Sequence, residues 1–502
     1  RHWTNDGESY TVRRMPPAAD DALALGQTLV VDQLGREFAW HWNADLQVTD
    51  YADAAGRQWH AEYNELRQLV AITEPGGATT RCTYDPMGFM SSRTDALGRT
   101  QSTGWTEFGE PWRETLADGS TWTYAYSDQG NLVRETDPLG RTTEYAYDRR
   151  GLPIVVTDGK GGTNRMAWNE CAQLVSLTDC SGKTTRYTYD GWCHLQTVTD
   201  AAGQRTRLTH DAMGRLLSVS LPDQSHQSFR RDAAGRIVAA TDALSRSTQF
   251  AFGLRGQPLT RQDAEGRRIA WHYDSAQRLQ SLVNENGLHF EFIRDTADRV
   301  VEERRVGGTR VQVEYDANGW PVCITHVPGI GDEDLALHDG TGPPAASRPL
   351  RTELLRDAVG RLVAKRTGSH HYRYTYDLLD RLTEAVKLEA PRPGTRDEPR
   401  ALHRTVFAYD KLGRLIEETA IDETTGETHT LRHAHDELGN RTQTVLPAIA
   451  SQPGVQRALN YLYYGSGHLH QVNLSHQHGN APEVHQLISD IERDDLHREV
   501  AR

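Results

Sequence analysis

Histidines and carboxylates are the residues of this chain best suited to chemistry, and their spacing decides what they can do. His468, His470, His476 and His478 crowd one stretch, with His433 and His435 upstream. A His-x-His pair on a strand places both imidazoles on one face, where they can share a transition-metal ion. No cysteine or carboxylate set of ligand spacing accompanies them, so packed or solvated histidines are expected, with no metal and no cofactor. His370 and His371 point to opposite faces if the backbone is extended. Asp and Glu total 69, and glycosidases work with carboxylate pairs. Most of these acids recur at one fixed interval, which assigns them to chain geometry. Cys82, Cys171, Cys180, Cys193 and Cys323 are odd in number and include no Cys-x-x-Cys, so neither a disulfide framework nor a zinc ribbon is expected. No Gly-x-Ser-x-Gly elbow or phosphate-binding loop occurs. The expectation is a chain without catalytic residues.

The interval itself is the strongest signal. Tyr84-Asp85 leads to Gly88, Tyr147-Asp148 to Gly151, and Tyr315-Asp316 to Gly319. Tyr189-Asp190 continues the series, as do Asp211 to Gly214 and Asp232 to Gly235. The Asp slots run from 43 to 316 in steps of 21, fourteen slots without an insertion, some filled by Asn, Thr, Ser or Gly. A second signal lies eleven residues before each slot, as in Asp95 to Gly98 and Asp137 to Gly140. Asp-x-x-Gly suits a type I turn closed by a left-handed residue, with the Asp carboxylate accepting a backbone N–H two residues on. The segments between turns carry Tyr, Thr, Val, Trp and Leu and favour strands. In Glu144-Tyr145-Ala146-Tyr147, alternation puts both rings on one sheet face.

After residue 316 the spacing loosens. Slots continue at Asp357 (Gly360), Asp377, Asp410 (Gly413), Asp436 and Gly465, separated by Pro-, Gly- and acid-rich insertions near 324–352, 388–402, 421–429 and 447–456. These read as surface loops, with binding loops as the alternative. Residues 484–502 are read as strand–turn–strand in preference to a polar helix. The expected organisation is therefore an incomplete lead-in over 1–30, regular repeats over 31–323, repeats with insertions over 324–479, and a truncated repeat over 480–502.

Stacked hairpins bury apolar faces that single hairpins cannot. Nineteen slots with two strands each give about 38 strands, a ribbon about 180 Å long at roughly 4.8 Å per strand. A twisted sheet of that length must curl. The predicted fold class is all-β: a long array of 21-residue antiparallel hairpins coiled into a spiral sheet around a hollow interior. The bulk properties agree with an extended body. Hydrophobic residues make up 37% of 502 residues, mean hydropathy is −0.67, and net charge is −13. Such a charge argues against nucleic acid as the main partner. No apolar run is long enough to span a membrane. The chain starts at Arg1 without a signal-peptide pattern, which suggests a fragment.

The Tyr-Asp-x-x-Gly-Arg-Leu and Thr-Asp-x-x-Gly-Arg-Thr units resemble the Rhs/YD-repeat family over roughly residues 30–502. Gly465 to Gln471 and Asp494 to Val500 are similar to later parts of bacterial Rhs cores. The resemblance implies a β-cocoon enclosing the protein's own C-terminal toxin domain, made in a bacterial cytoplasm and delivered by a type VI apparatus or a Tc-like complex. Spike or PAAR proteins and chaperones are the implied further partners. Many relatives end in an Asp-Pro-x-Gly-Leu-rich self-cleaving element. Here Asp137-Pro138-Leu139-Gly140 is an internal turn followed by Arg141, so no self-cleavage is expected within these residues. The competing reading is a YD-repeat surface adhesin that recognises glycan or protein through the later insertions.

Overall fold

The computed structural model describes residues 2–3, 9–15, 26–329, 349–368, 370–389, 399–449, 451–452, 454–465 and 467–501. Apart from one 3-10 turn at Val306–Gly308, the regular structure among these residues is strand, and a single sheet holds 42 strands. Glu492–Arg493 and Glu499–Ala501 form a separate pair. The count exceeds the roughly 38 expected from hairpin spacing because strands also precede slot 43 and follow residue 465.

Successive strands pair antiparallel, as the short turns between them demand. Thr142–Tyr147 pairs with Pro153–Thr157, which pairs in turn with Thr163–Trp168. In the first hairpin the register shifts between Ala146 and Tyr147; the same shift recurs between Thr188 and Tyr189. This bulge is the extra residue that a type I turn with a left-handed closing residue brings into a hairpin. From Glu37 to residue 316 the strands alternate between six and five residues; later ones reach 11 residues in His468–His478. The tail is strand–turn–strand, with Val484–Asp490 ahead of the turn at Asp494. Of the insertions, 421–429 is a tight turn from Asp422 to Gly426, whereas 330–348 and 390–398, with Pro391 and Pro393, lie outside the described residues.

The sheet is one layer thick and has little core. Trp42, Ala71, Ala239, Val311, Cys323, Val386, Ala458 and Ile491 are its buried hydrophobic residues among those described. Stability must therefore come from strand pairing, half-buried rows such as Thr143, Tyr145 and Tyr147, and the turns. Thr–Thr pairs add to it: Thr178 and Thr184 hydroxyls sit 2.8 Å apart across a strand pair.

Two compact units divide the chain: residues 1–100 with 229–372, and residues 101–228 with 373–502. Each contains an early and a late ribbon of hairpins. Every ribbon has two edges, one lined by the Tyr-Asp turns and the other by the Thr-Asp turns.

Candidate functional site: the turn edges

Each turn is built by its first residue. In the Asp95 turn, Oδ1 accepts the N–H groups of Leu97 (2.9 Å) and Arg99 (3.0 Å), and Oδ2 accepts Arg99 Nε at 2.7 Å. Backbone bonds Gly98 N–H to Asp95 O and Asp95 N–H to Arg99 O complete it. The same arginine closure recurs at Asp137, Asp211, Asp232, Asp357 and Asp410. Asp85, Asp148 and Asp316 keep the backbone bonds but have Phe89, Leu152 and Trp320 where the arginine would be. Asp190 is closed by His194, whose Nδ1 lies 3.2 Å from Oδ2. The closing glycines take the left-handed conformation the turn requires, with φ of 94° at Gly88 and 81° at Gly140. Leu46, Arg67 and Cys193 hold the same place at 63–69°, a local strain the rest of the turn must offset.

Such bonds hold the carboxyls of Asp232, Asp242 and Asp263 below the usual carboxylate pKa. At Asp232, Asp242 and Asp263 the hydrogen bond from the following arginine (Arg236, Arg246 and Arg267) is the main cause. Each of these groups is thus a stronger acid in the fold than free in water.

The tyrosine before each slot ties one turn to its predecessor. Tyr84, Tyr147, Tyr189 and Tyr315 donate their hydroxyls to the carbonyls of Leu69, Leu132, Leu174 and Val300 at 2.7–2.9 Å, each 15 residues back. Trp168 Nε1 and Arg493 Nε reach equivalent carbonyls. The arginine after the slot reaches forward: Arg236 to Gly253 O and Arg414 to Asp436 O. Along the Tyr-Asp edge, neighbouring turns are thus latched in both directions. In sequence the tyrosine, aspartate and glycine are legible as turn builders, whereas the arginines read as local charge cancellation. Their recurring i, i+4 spacing to the aspartate was the available signal.

Within each unit the Thr-Asp edge of the early ribbon meets the Tyr-Asp edge of the late one. In the first unit Arg36 pairs with Asp298, and Gly76 N–H donates to Asn318 at 2.6 Å. In the second, Arg141 donates to Glu437 O (2.6 Å), Lys160 pairs with Asp436 (2.5 Å), Lys183 with Asp495, and His497 with Asp179 at 3.0 Å. Sequence offers no sign of these pairs, which join residues 242 to 318 positions apart.

The histidines between 433 and 478 have separate surroundings. His433 is buried against Thr444 Oγ1 at 3.1 Å, and burial holds its pKa below the usual value. His468 stacks on His497 with centroids 3.6 Å apart. Among the described residues, Asp190, His194 and His210 do come within 4.8 Å of one another; His194 there fills the arginine position of the turn. Two open concavities of about 590 Å³ contain carboxylates. In the second, Asp494 pairs with Arg498 and Asp495 with Lys183, so these acids serve the edge.

Residues 141–318 match the teneurin YD-shell family model and 63–100 the RHS repeat model. Residues 63–100 and 141–318 are thus repeats of the Rhs/YD type. It is 32% identical over 254 residues to double-stranded DNA deaminase toxin A of Burkholderia cenocepacia (strain H111), a match spanning 49% of this chain and 15% of that protein. Its fold is similar to the crystal structures of TcdB2-TccC3-Cdc42 and TcdB2-TccC3-TEV, with TM-scores of 0.56 and 0.57 and identities of 14% and 13%. Each of these likenesses covers 96% of this chain and 32% of the other. No helix among the described residues is long and apolar enough to cross a membrane.

Proposed function

We propose that this chain is a wall segment of a shell that encloses the C-terminal toxin domain of its own parent protein, for type VI or Tc-like delivery from a bacterial cell. The observation that carries the reading is a one-layer sheet whose ribbons dock edge to edge, an arrangement suited to a wall and short of core or pocket chemistry. The toxin named among its relatives supports a toxin as cargo. The mechanism is confinement: the sheet separates the cargo from the producing cell until release. Spike or PAAR proteins and chaperones would act at delivery and assembly.

The test is a cryo-EM map of the full-length parent protein. A closed hollow body with extra density inside is the expected result. An open sheet without enclosed density, carrying ordered insertions on its outer surface, would overturn confinement and favour adhesion.

A further inference from the structure

The closing residue of one Tyr-Asp turn lies against the residue that precedes the next slot. Arg236 stands over the ring of Phe252 at 5.2 Å, and Arg299 over that of Tyr315 at 4.7 Å. His194 and His210 hold the same two positions in their repeat, with ring centroids 5.3 Å apart. Over the fourteen slots from 43 to 316, histidine takes the closing position only at 194 and the preceding position only at 210. The two substitutions therefore meet at one place, where the repeat itself brings the side chains together.

Asp190 completes the group. Its Oδ1 accepts the backbone N–H groups of Trp192 and His194, both at 2.9 Å, and Oδ2 faces His194 Nδ1 at 3.2 Å. At Asp211, Asp232 and Asp274 an arginine Nε donates to that second oxygen; here an imidazole stands in its place. The backbone bond from His194 is the main cause holding the Asp190 carboxyl below the usual carboxylate pKa, so an anion faces the two rings at neutral pH. The His210 ring makes no hydrogen bond among the described residues, unlike Tyr189 and Tyr315, whose hydroxyls latch the preceding turn from the same position. The side chains of Asp190 and His194 are 28% and 25% exposed, which leaves the cluster open to an ion from solvent.

We propose that Asp190, His194 and His210 bind one divalent first-row transition-metal ion, which ties the Asp190 turn to the Asp211 turn. One ligand atom from each residue lies within 4.8 Å of the other two. Ligand atoms about 2.1 Å from a tetrahedral ion are about 3.4 Å from one another, so small side-chain rotations seat all three. Two imidazoles and a carboxylate suit zinc, nickel or copper, whereas calcium and magnesium take oxygen ligands. Three protein ligands leave the fourth position to water. The site lies apart from the histidines between 433 and 478, and the inference does not depend on the cargo reading.

The test is titration of the untagged, chelator-treated chain with Co2+, read by visible absorption, and then with Zn2+, read by displacement of Co2+ and by thermal melting. One equivalent of Co2+ should bind at this site, and Zn2+ should displace it and raise the melting temperature; excess Mg2+ should do neither. His194→Arg and His210→Tyr install residues that other turns carry at these positions, as at Arg215 and Tyr189, so both variants keep the fold. Each should weaken binding about a hundredfold or more, while His470→Gln with His478→Gln should leave it unchanged. A chain that does not bind Co2+ or Zn2+ to saturation, an affinity that survives His194→Arg and His210→Tyr, or binding lost with His470 and His478 would overturn the proposal.

Discussion

The two edges of the late ribbon behave differently. From residue 323 onward the lengthening falls at the Thr-Asp edge, in the segments 324–352, 388–402, 421–429 and 447–456. The Tyr-Asp edge keeps its five-residue turns at Asp357, Asp377, Asp410, Asp436 and Asp494. Even near Gly465 the turn stays short, beginning at Tyr464, with Gly467 N–H facing Tyr464 O at 3.4 Å. The difference has a mechanical origin. The late Tyr-Asp edge is seated on the early Thr-Asp edge in each unit, so an added residue there would displace its docking contacts. A hairpin end without an opposing ribbon can grow at the modest entropy of a longer loop.

Acid should act on both edges together and have the largest effect. Asp232, on the Tyr-Asp edge, and Asp242 and Asp263, on the Thr-Asp edge, have pKa values below those of the unfolded chain, so their stabilisation is complete above about 4 and is lost as pH falls through the lower folded values. Thermal melts should show a steep loss of stability between about pH 4 and pH 2, and a flat profile there would remove the carboxylates from the account.

Length tests the edges separately. Four Gly/Ser residues inserted between Glu437 and Leu438 should lower stability by about 3 kcal/mol or more, because they break both a turn and a docking contact. The same insertion between Thr424 and Thr425 should change it by less than about 1 kcal/mol. Equal shifts in urea midpoint would erase the distinction between the edges.

Single side chains sharpen it further. Asp436 is sheltered, closes its turn and meets Lys160; Asp436→Ala should cost about 2 kcal/mol. Asp242→Ala, on an exposed turn, should cost measurably less in the same denaturation assay. Tyr147→Phe removes only the bond to Leu132 O and should cost about 1 kcal/mol, less than the loss at Asp436.

The sequence by itself determined the repeat, the turn positions and the strand alternation. These depend on residues within one hairpin: an Asp that caps its own turn, a residue that accepts positive φ, and side chains that alternate across a pleat. The His468 and His470 region shows where local reading stops, since stacking on His497 depends on a neighbouring turn. Tertiary structure alone decided which edge meets which, and with it the roles of Arg141, Lys160, Lys183 and His497. Their partners lie far away along the chain, and every Asp-x-x-Gly turn presents much the same local chemistry; only the path of the ribbon selects which turns come together.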